Sequence, residues 1–127
     1  MLELLNVNIS TEEIKEMLEE NPELEYLSNS EVINLIDLLR SVGCSDKIIR
    51  NIITTNPIYL NRIFDSVLEL IQKLKLLGIK RLDITFDSNP LLLNEDADDI
   101  DEFILEKRKN GMEIDDIIGL ISMGVID

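Results

Sequence analysis

The chain has 127 residues, 45% hydrophobic and 30% charged, with 26 acids against 12 bases, no histidine, no tryptophan and one cysteine. That length and balance describe one ordinary domain, long enough to build a core without disulfides or metals. The missing histidine and the lone cysteine exclude histidine-dependent triads, histidine general bases and Cys/His zinc sites.

The net charge of −14 conceals a pattern. Residues 1–39 carry ten acids and one lysine, and residues 83–127 carry thirteen acids and three bases. Between them, residues 40–82 carry eight bases against Asp46, Asp65 and Glu69, so the middle third is basic and its flanks are acidic. An overall acidic balance repels nucleic acid and anionic membrane, because phosphate binding needs compensating lysine and arginine.

In chain order, the start MLELLNVNIS holds Glu3 among apolar residues and has no basic opening, which is unlike a signal peptide. Ser10 with Glu13 forms a capping box that opens a helix toward Glu20, and the turn Asn21-Pro22 ends it. A second helix is expected over 30–42, closed by Gly43. Ser45 opens a third helix toward Thr54, ended by Asn56-Pro57, and a fourth follows over 64–77 before Gly78. Gly78 to Pro90 is two residues shorter than Gly43 to Pro57 and contains the β-branched and aromatic run Leu82–Phe86, so its helix should be short or partly irregular. Another helix is expected over 95–109 before Gly111. The last apolar stretch, from Ile117 to Ile126, is about half of the roughly 20 residues that a membrane-spanning helix needs.

These elements repeat. Asn-Pro occurs at Asn21-Pro22, Asn56-Pro57 and Asn89-Pro90, spaced by 35 and 33 residues, and glycine follows each proline 21 positions later. Ten, thirteen and fourteen residues after the prolines stand Val32, Leu35 and Ile36; Val67, Leu70 and Ile71; and Ile100, Phe103 and Ile104, the helical spacing of a buried face. Leu24, Tyr59 and Leu92 share another apolar column, and Ile9, Cys44, Ile79 and Met112 a third. Cys44 is thereby expected to be a small core residue rather than a reactive thiol. The fold expected is all-α: a short right-handed α-solenoid of three and a half helix-pair repeats, about seven helices in one domain over 1–127. Its repeats cover about 8–42, 43–77 and 78–110, and the half-repeat 111–124 lays Ile114, Ile117, Ile118, Ile121 and Val125 over the open end.

The stretch GCSDKIIRNIITTNPIYL (43–60) followed by VLELIQKLKLLG (67–78) resembles the helical repeat of the mitochondrial transcription termination factor family, with looser copies before and after, from about Asn8 to Gly124. In that family each motif is a helix, a proline with leucines, and a second helix ending in leucine and glycine. Tetratricopeptide repeats share a 34-residue period, but their tryptophan, tyrosine and alanine signature positions are not seen here. The resemblance implies a curved stack of helix pairs whose concave surface binds nucleic acid in mitochondria or chloroplasts. The chain departs from the family in being short, and acidic where the family's groove is basic. With no Arg- and Ser-rich presequence, a prokaryotic, cytoplasmic version of the repeat is the expectation.

The candidate nucleic-acid cluster is Lys47, Arg50, Arg62, Lys73, Lys75, Lys80 and Arg81, for which pairing with the acidic flanks is the competing use. The candidate partner-binding acids are Asp96, Asp98, Asp99 and Asp101. A calcium-loop reading of that run fails: counting from Asp96, the sixth position holds Asp101 where glycine is needed, and the twelfth holds Lys107 where glutamate is needed. Carboxylates there suit a helix start, with Asn94 or Asp96 as cap. No catalytic constellation and no cofactor site are read from the sequence. The expectation is a non-enzymatic module, monomeric or weakly dimeric, that binds a protein partner through a charge-segregated surface; the alternative is weak nucleic-acid binding through the central repeat.

Overall fold

A computed structural model of the chain describes residues 1–125. All regular structure among them is helical: α1 (Thr11–Glu20), α2 (Asn29–Ser41), α3 (Asp46–Thr55), α4 (Phe64–Leu76), α5 (Leu82–Ser88), α6 (Ala97–Lys109) and α7 (Ile114–Ser122). Short 3-10 turns occupy Leu2–Val7, Pro22–Tyr26, Pro57–Asn61 and Pro90–Asn94. The sequence indicates the prolines as corners. The five-residue 3-10 turn that each proline opens, and the turn over Leu2–Val7, have no periodicity long enough to announce them.

Helix starts follow from side-chain chemistry. Ser10 and Glu13 exchange bonds in a capping box, both at 3.1 Å, and Ser28 with Glu31 does the same at the start of α2. The Ser45 hydroxyl accepts the Ile48 N–H at the start of α3. α5 has Arg81 in the capping position and no side-chain cap, and it runs for 7 residues where α1 and α3 run for 10. The expected long helix over 95–109 begins later, at Ala97, because Asp96 stands outside it in extended geometry as the N-cap.

The long helices, α7 and the turn Leu2–Val7 share one way of ending, while α1, α3 and α5 end at the asparagine before each proline. Asn8, Gly43, Gly78, Gly111 and Gly124 all have positive φ. At Gly43 the glycine N–H donates to the Arg40 carbonyl and the Cys44 N–H to the Leu39 carbonyl, the paired bonds of a Schellman cap. The same two bonds recur at Asn8, Gly78, Gly111 and Gly124. This cap brings the residue after the glycine onto the last helical turn, which explains why Ile9, Cys44 and Ile79 are buried. α7 therefore closes as the long helices do, and not at an asparagine-proline corner.

Like elements pack on like. α2 lies against α4 and α4 against α6, α3 lies against α5, and the three proline turns adjoin in order. Leu24, Tyr59 and Leu92 are buried from those turns, Val32, Leu35 and Ile36 from α2, Val67, Leu70 and Ile71 from α4, and Ile100 and Phe103 from α6. Tyr59 also donates its hydroxyl to the Leu35 carbonyl at 2.7 Å, satisfying a buried phenol. The third copy of these columns is looser: Ile104 and Met112 are only partly buried. α7 packs on α6 through Ile117 and Ile121, with Ile118 partly buried. Val125, expected in that cover, is instead exposed, although it follows the Gly124 cap as Ile9, Cys44 and Ile79 follow theirs. Ile126 lies outside the described residues.

The glycines sort by these surroundings. Gly78→Ala and Gly111→Ala meet no atom within 4 Å, so each should cost about 1–2 kcal/mol through the left-handed backbone alone. Gly124→Ala would also place its Cβ 2.5 Å from the Asn89 side chain and should cost more. Gly119, inside α7 with ordinary φ and open space, should gain about 0.5–1 kcal/mol on replacement by alanine. Urea denaturation of the four variants gives the order directly.

Candidate functional site

Most of the central bases face carboxylates and carbonyls of this chain. From α3, Arg50 donates Nε to the Asn8 carbonyl at 3.1 Å and Nη2 to the Glu13 carboxylate at 2.7 Å, tying α3 to the start of α1. Arg62, just after the turn Pro57–Asn61, donates to the Leu93 carbonyl at 3.0 Å, the Glu95 carbonyl at 2.9 Å and the Asp96 carboxylate at 2.7 Å. Lys73 on α4 meets Asp101 on α6 at 2.9 Å. Arg81 forms a bidentate pair with Asp83, two residues along, at 3.0–3.1 Å. That contact holds the Asp83 carboxyl below the usual range and raises the already high pKa of Arg81.

The cluster therefore does not form one basic surface. Lys47, Lys75 and Lys80 are exposed and enter no ion pair among the described residues. Lys47 lines an open groove of about 760 Å³ with Ser45, Ile48, Arg50, Asn51 and Asp87, and Asn51 donates to the Asp87 carbonyl at 3.1 Å and carboxylate at 2.8 Å.

The four acids divide similarly. Asp96 caps α6 and receives Arg62, the Asp99 carboxylate accepts the Asp96 N–H at 2.8 Å, and Asp101 receives Lys73. Asp98 alone of the four is exposed without a hydrogen bond or ion pair among the described residues. Next to them, Glu95 is partly buried and its pKa is raised, chiefly by loss of water, then by the adjacent charges of Asp99 and Asp96, with Arg62 opposing. In contrast Glu13 is held below the usual carboxyl range, first by the Ser10 N–H and then by the Ser10 hydroxyl and Arg50.

Cys44 is buried and its thiol is pushed up to about 12 by burial, with Asp83 and Asp87 adding to the shift. It carries no thiolate at neutral pH, which fits the core position that its column indicates. Among the described residues no three His, Cys, Asp or Glu side chains come together in a way that could hold a metal ion, and no helix is long and apolar enough to cross a membrane.

Two features escaped the sequence reading. Asn56, almost fully buried, donates to the Pro90 carbonyl at 3.0 Å and exchanges side-chain bonds with Asn94. Glu13, Glu16 and Glu20 border a groove against the end of α3. The first left a trace in the repeated Asn-Pro pair; the second left none, since it depends on which elements lie side by side in the fold.

Replacing Arg62 with alanine should cost about 2–3 kcal/mol, because it strips two carbonyls and a carboxylate of a charged donor, whereas Arg81→Ala, at an exposed local pair, should cost under about 1 kcal/mol. Chemical denaturation of the two variants checks the difference. For Glu95 the folded-state pKa lies above the unfolded one, so its contribution is full in acid and is lost as pH rises through the folded value. Glu95→Gln should raise Tm at pH 7, and the gain should vanish below about pH 4, where the glutamate is protonated in both states.

No protein-family model, curated protein or solved structure matches the chain.

Proposed function

We propose that the chain is a short right-handed α-solenoid with repeats like those of the mitochondrial transcription termination factor family, acting in the cytoplasm as a non-enzymatic module that binds a protein partner. The observation that carries this reading is the internal use of its positive charge. Arg50, Arg62, Lys73 and Arg81 are committed to carboxylates of this chain, while the net charge remains −14. What faces solvent is then dominated by uncommitted acids, including Glu12, Glu19, Glu23 and Glu25 near the N-terminus and Asp98 and Glu102 on α6. Such a surface steers a cationic partner and repels polyanions. The recurring Schellman caps and the like-on-like packing of helices support the solenoid reading, since stacking of equivalent elements is how a repeat array buries its core.

A second reading, weak nucleic-acid binding, is favoured by the exposure of Lys47, Lys75 and Lys80 and by the family resemblance. Three phosphate contacts correspond to a slope of about −2.7 in log affinity against log salt for duplex DNA.

Mobility-shift titration at low salt separates the two. The protein-partner reading expects no shift with DNA or RNA, and a submicromolar shift abolished by replacing the three lysines would reverse the order. For the leading reading, proteins retained by the chain from a lysate are compared with those retained by a variant carrying amides at Glu12, Glu19, Glu23, Glu25, Asp98 and Glu102. Salt-labile partners should disappear from the variant; an unchanged set would remove the acidic surface from the mechanism.

A further inference from the structure

The short helices are not held equally. With the sequence period of 35, Ile14, Met17 and Leu18 of α1 occupy the positions of Ile49, Ile52 and Ile53 of α3. The three isoleucines are fully buried, whereas Ile14 and Met17 keep 8% and 5% of their surface exposed and Leu18 is only partly buried. α3 packs directly on α2, α5 and the turn Leu2–Val7, but α1 makes its main contacts with the turn Pro22–Tyr26 that follows it. Across the α3–α5 junction the Asn51 amide bonds both the carbonyl and the carboxylate of Asp87. The position of Asn51 in α1 holds Glu16, which is exposed and enters no ion pair among the described residues.

α1 also opposes its own formation. Five of its ten residues are glutamates, and Glu12–Glu16 and Glu16–Glu20 are like charges one helical turn apart. Glu19 and Glu20 stand in its last turn with no base there, against the negative end of the helix dipole. Two devices offset this repulsion, and both converge on Glu13. One of its oxygens accepts the Ser10 N–H at 3.1 Å, closing the capping box, and the other accepts Nη2 of Arg50 at 2.7 Å. Arg50 also donates Nε to the Asn8 carbonyl at 3.1 Å, just ahead of the helix. Among the described residues, the Arg50–Glu13 bond is the one side-chain link between α1 and the other helices.

We infer that α1 is a strap that opens independently of the rest of the fold, with Glu13 as its latch on Arg50. Opening moves Ile14 and Met17 into water and bares the apolar surface that they cover. The turn Leu2–Val7 stays on α2 and α3, and the turn Pro22–Tyr26 stays on Pro57–Asn61, because those contacts do not involve α1. Local opening of this kind belongs to an element with few buried apolar contacts and a single cross-link to its surroundings. The protein thereby hides or presents apolar surface at one end of its core according to one ion pair, whatever its acidic surface binds.

Amide hydrogen exchange of the full chain, followed by NMR, tests this. The hydrogen-bonded amides of residues 14–20 should exchange together, about tenfold or more faster than those of α2 and α3 once intrinsic rates are divided out. Glu13→Gln keeps an oxygen for the capping box but removes the charge that Arg50 holds. It should speed exchange of those amides about fivefold, the upper end for a partly exposed ion pair. Glu16→Gln removes both like-charge pairs and should slow it about threefold. In both variants α2 and α4 should keep their rates. Equal protection of α1 and α3 would overturn the strap. A Glu13→Gln chain in which α1 exchange is unchanged, or in which every helix exchanges faster alike, would overturn the latch.

Discussion

The arrangement of the central and C-terminal helices depends on the side chains that cross from the second proline turn to the third. Proline sets where each short helix stops, but it removes an N–H and offers nothing to hold the following turn in place. Asn56 and Arg62 supply those bonds, from opposite ends of the turn Pro57–Asn61, to the carbonyls of Pro90, Leu93 and Glu95. Backbone carbonyls in an irregular turn would otherwise be costly to pack against a neighbour, so a buried amide and a partly buried guanidinium make close stacking of the turns possible. With the turns fixed, α4 meets α6 at a distance where Lys73 reaches Asp101, and the apolar faces of α2, α4 and α6 form one continuous core.

That use of arginine accounts for the charge pattern. A basic third between two acidic thirds is what a stack needs when its middle element grips both neighbours: Arg50 reaches back to Glu13, and Arg62 and Lys73 reach forward to Asp96 and Asp101. The excess acid is not required by these contacts. It lies on solvent-facing positions, several of them on α1 and α6, and a surface of that charge repels polyanions and attracts cations.

Much of the fold is legible in the chain because its strongest signals are local. The glycines at 43, 78 and 111 and the asparagine at 8 mark left-handed positions that few other residues tolerate, and the serines at 10 and 45 cap the helices that follow. The apolar columns at helical spacing identify the core faces for the same reason. The candidate site was less legible, since the partners of a charge are set by tertiary proximity. Arg62 and Asp96 are 34 residues apart, and nothing in their neighbourhoods distinguishes this pair from the solvent-facing Lys75 and Asp98. Residue type alone made all eleven charged candidates look equivalent; in the fold, five of them, Arg50, Arg62, Lys73, Asp96 and Asp101, hold neighbouring elements together.

The central claim, that two side chains anchor the third turn to the second, is tested most directly by amide hydrogen exchange on a chain carrying Asn56→Ala and Arg62→Ala. Protection should fall selectively from the turn Pro90–Asn94 through α6, while α2 and the buried face of α3 keep theirs, because α2 and α3 contact each other and the turn Leu2–Val7 independently of those bonds. An unchanged exchange pattern, or a uniform loss across the chain, would contradict it.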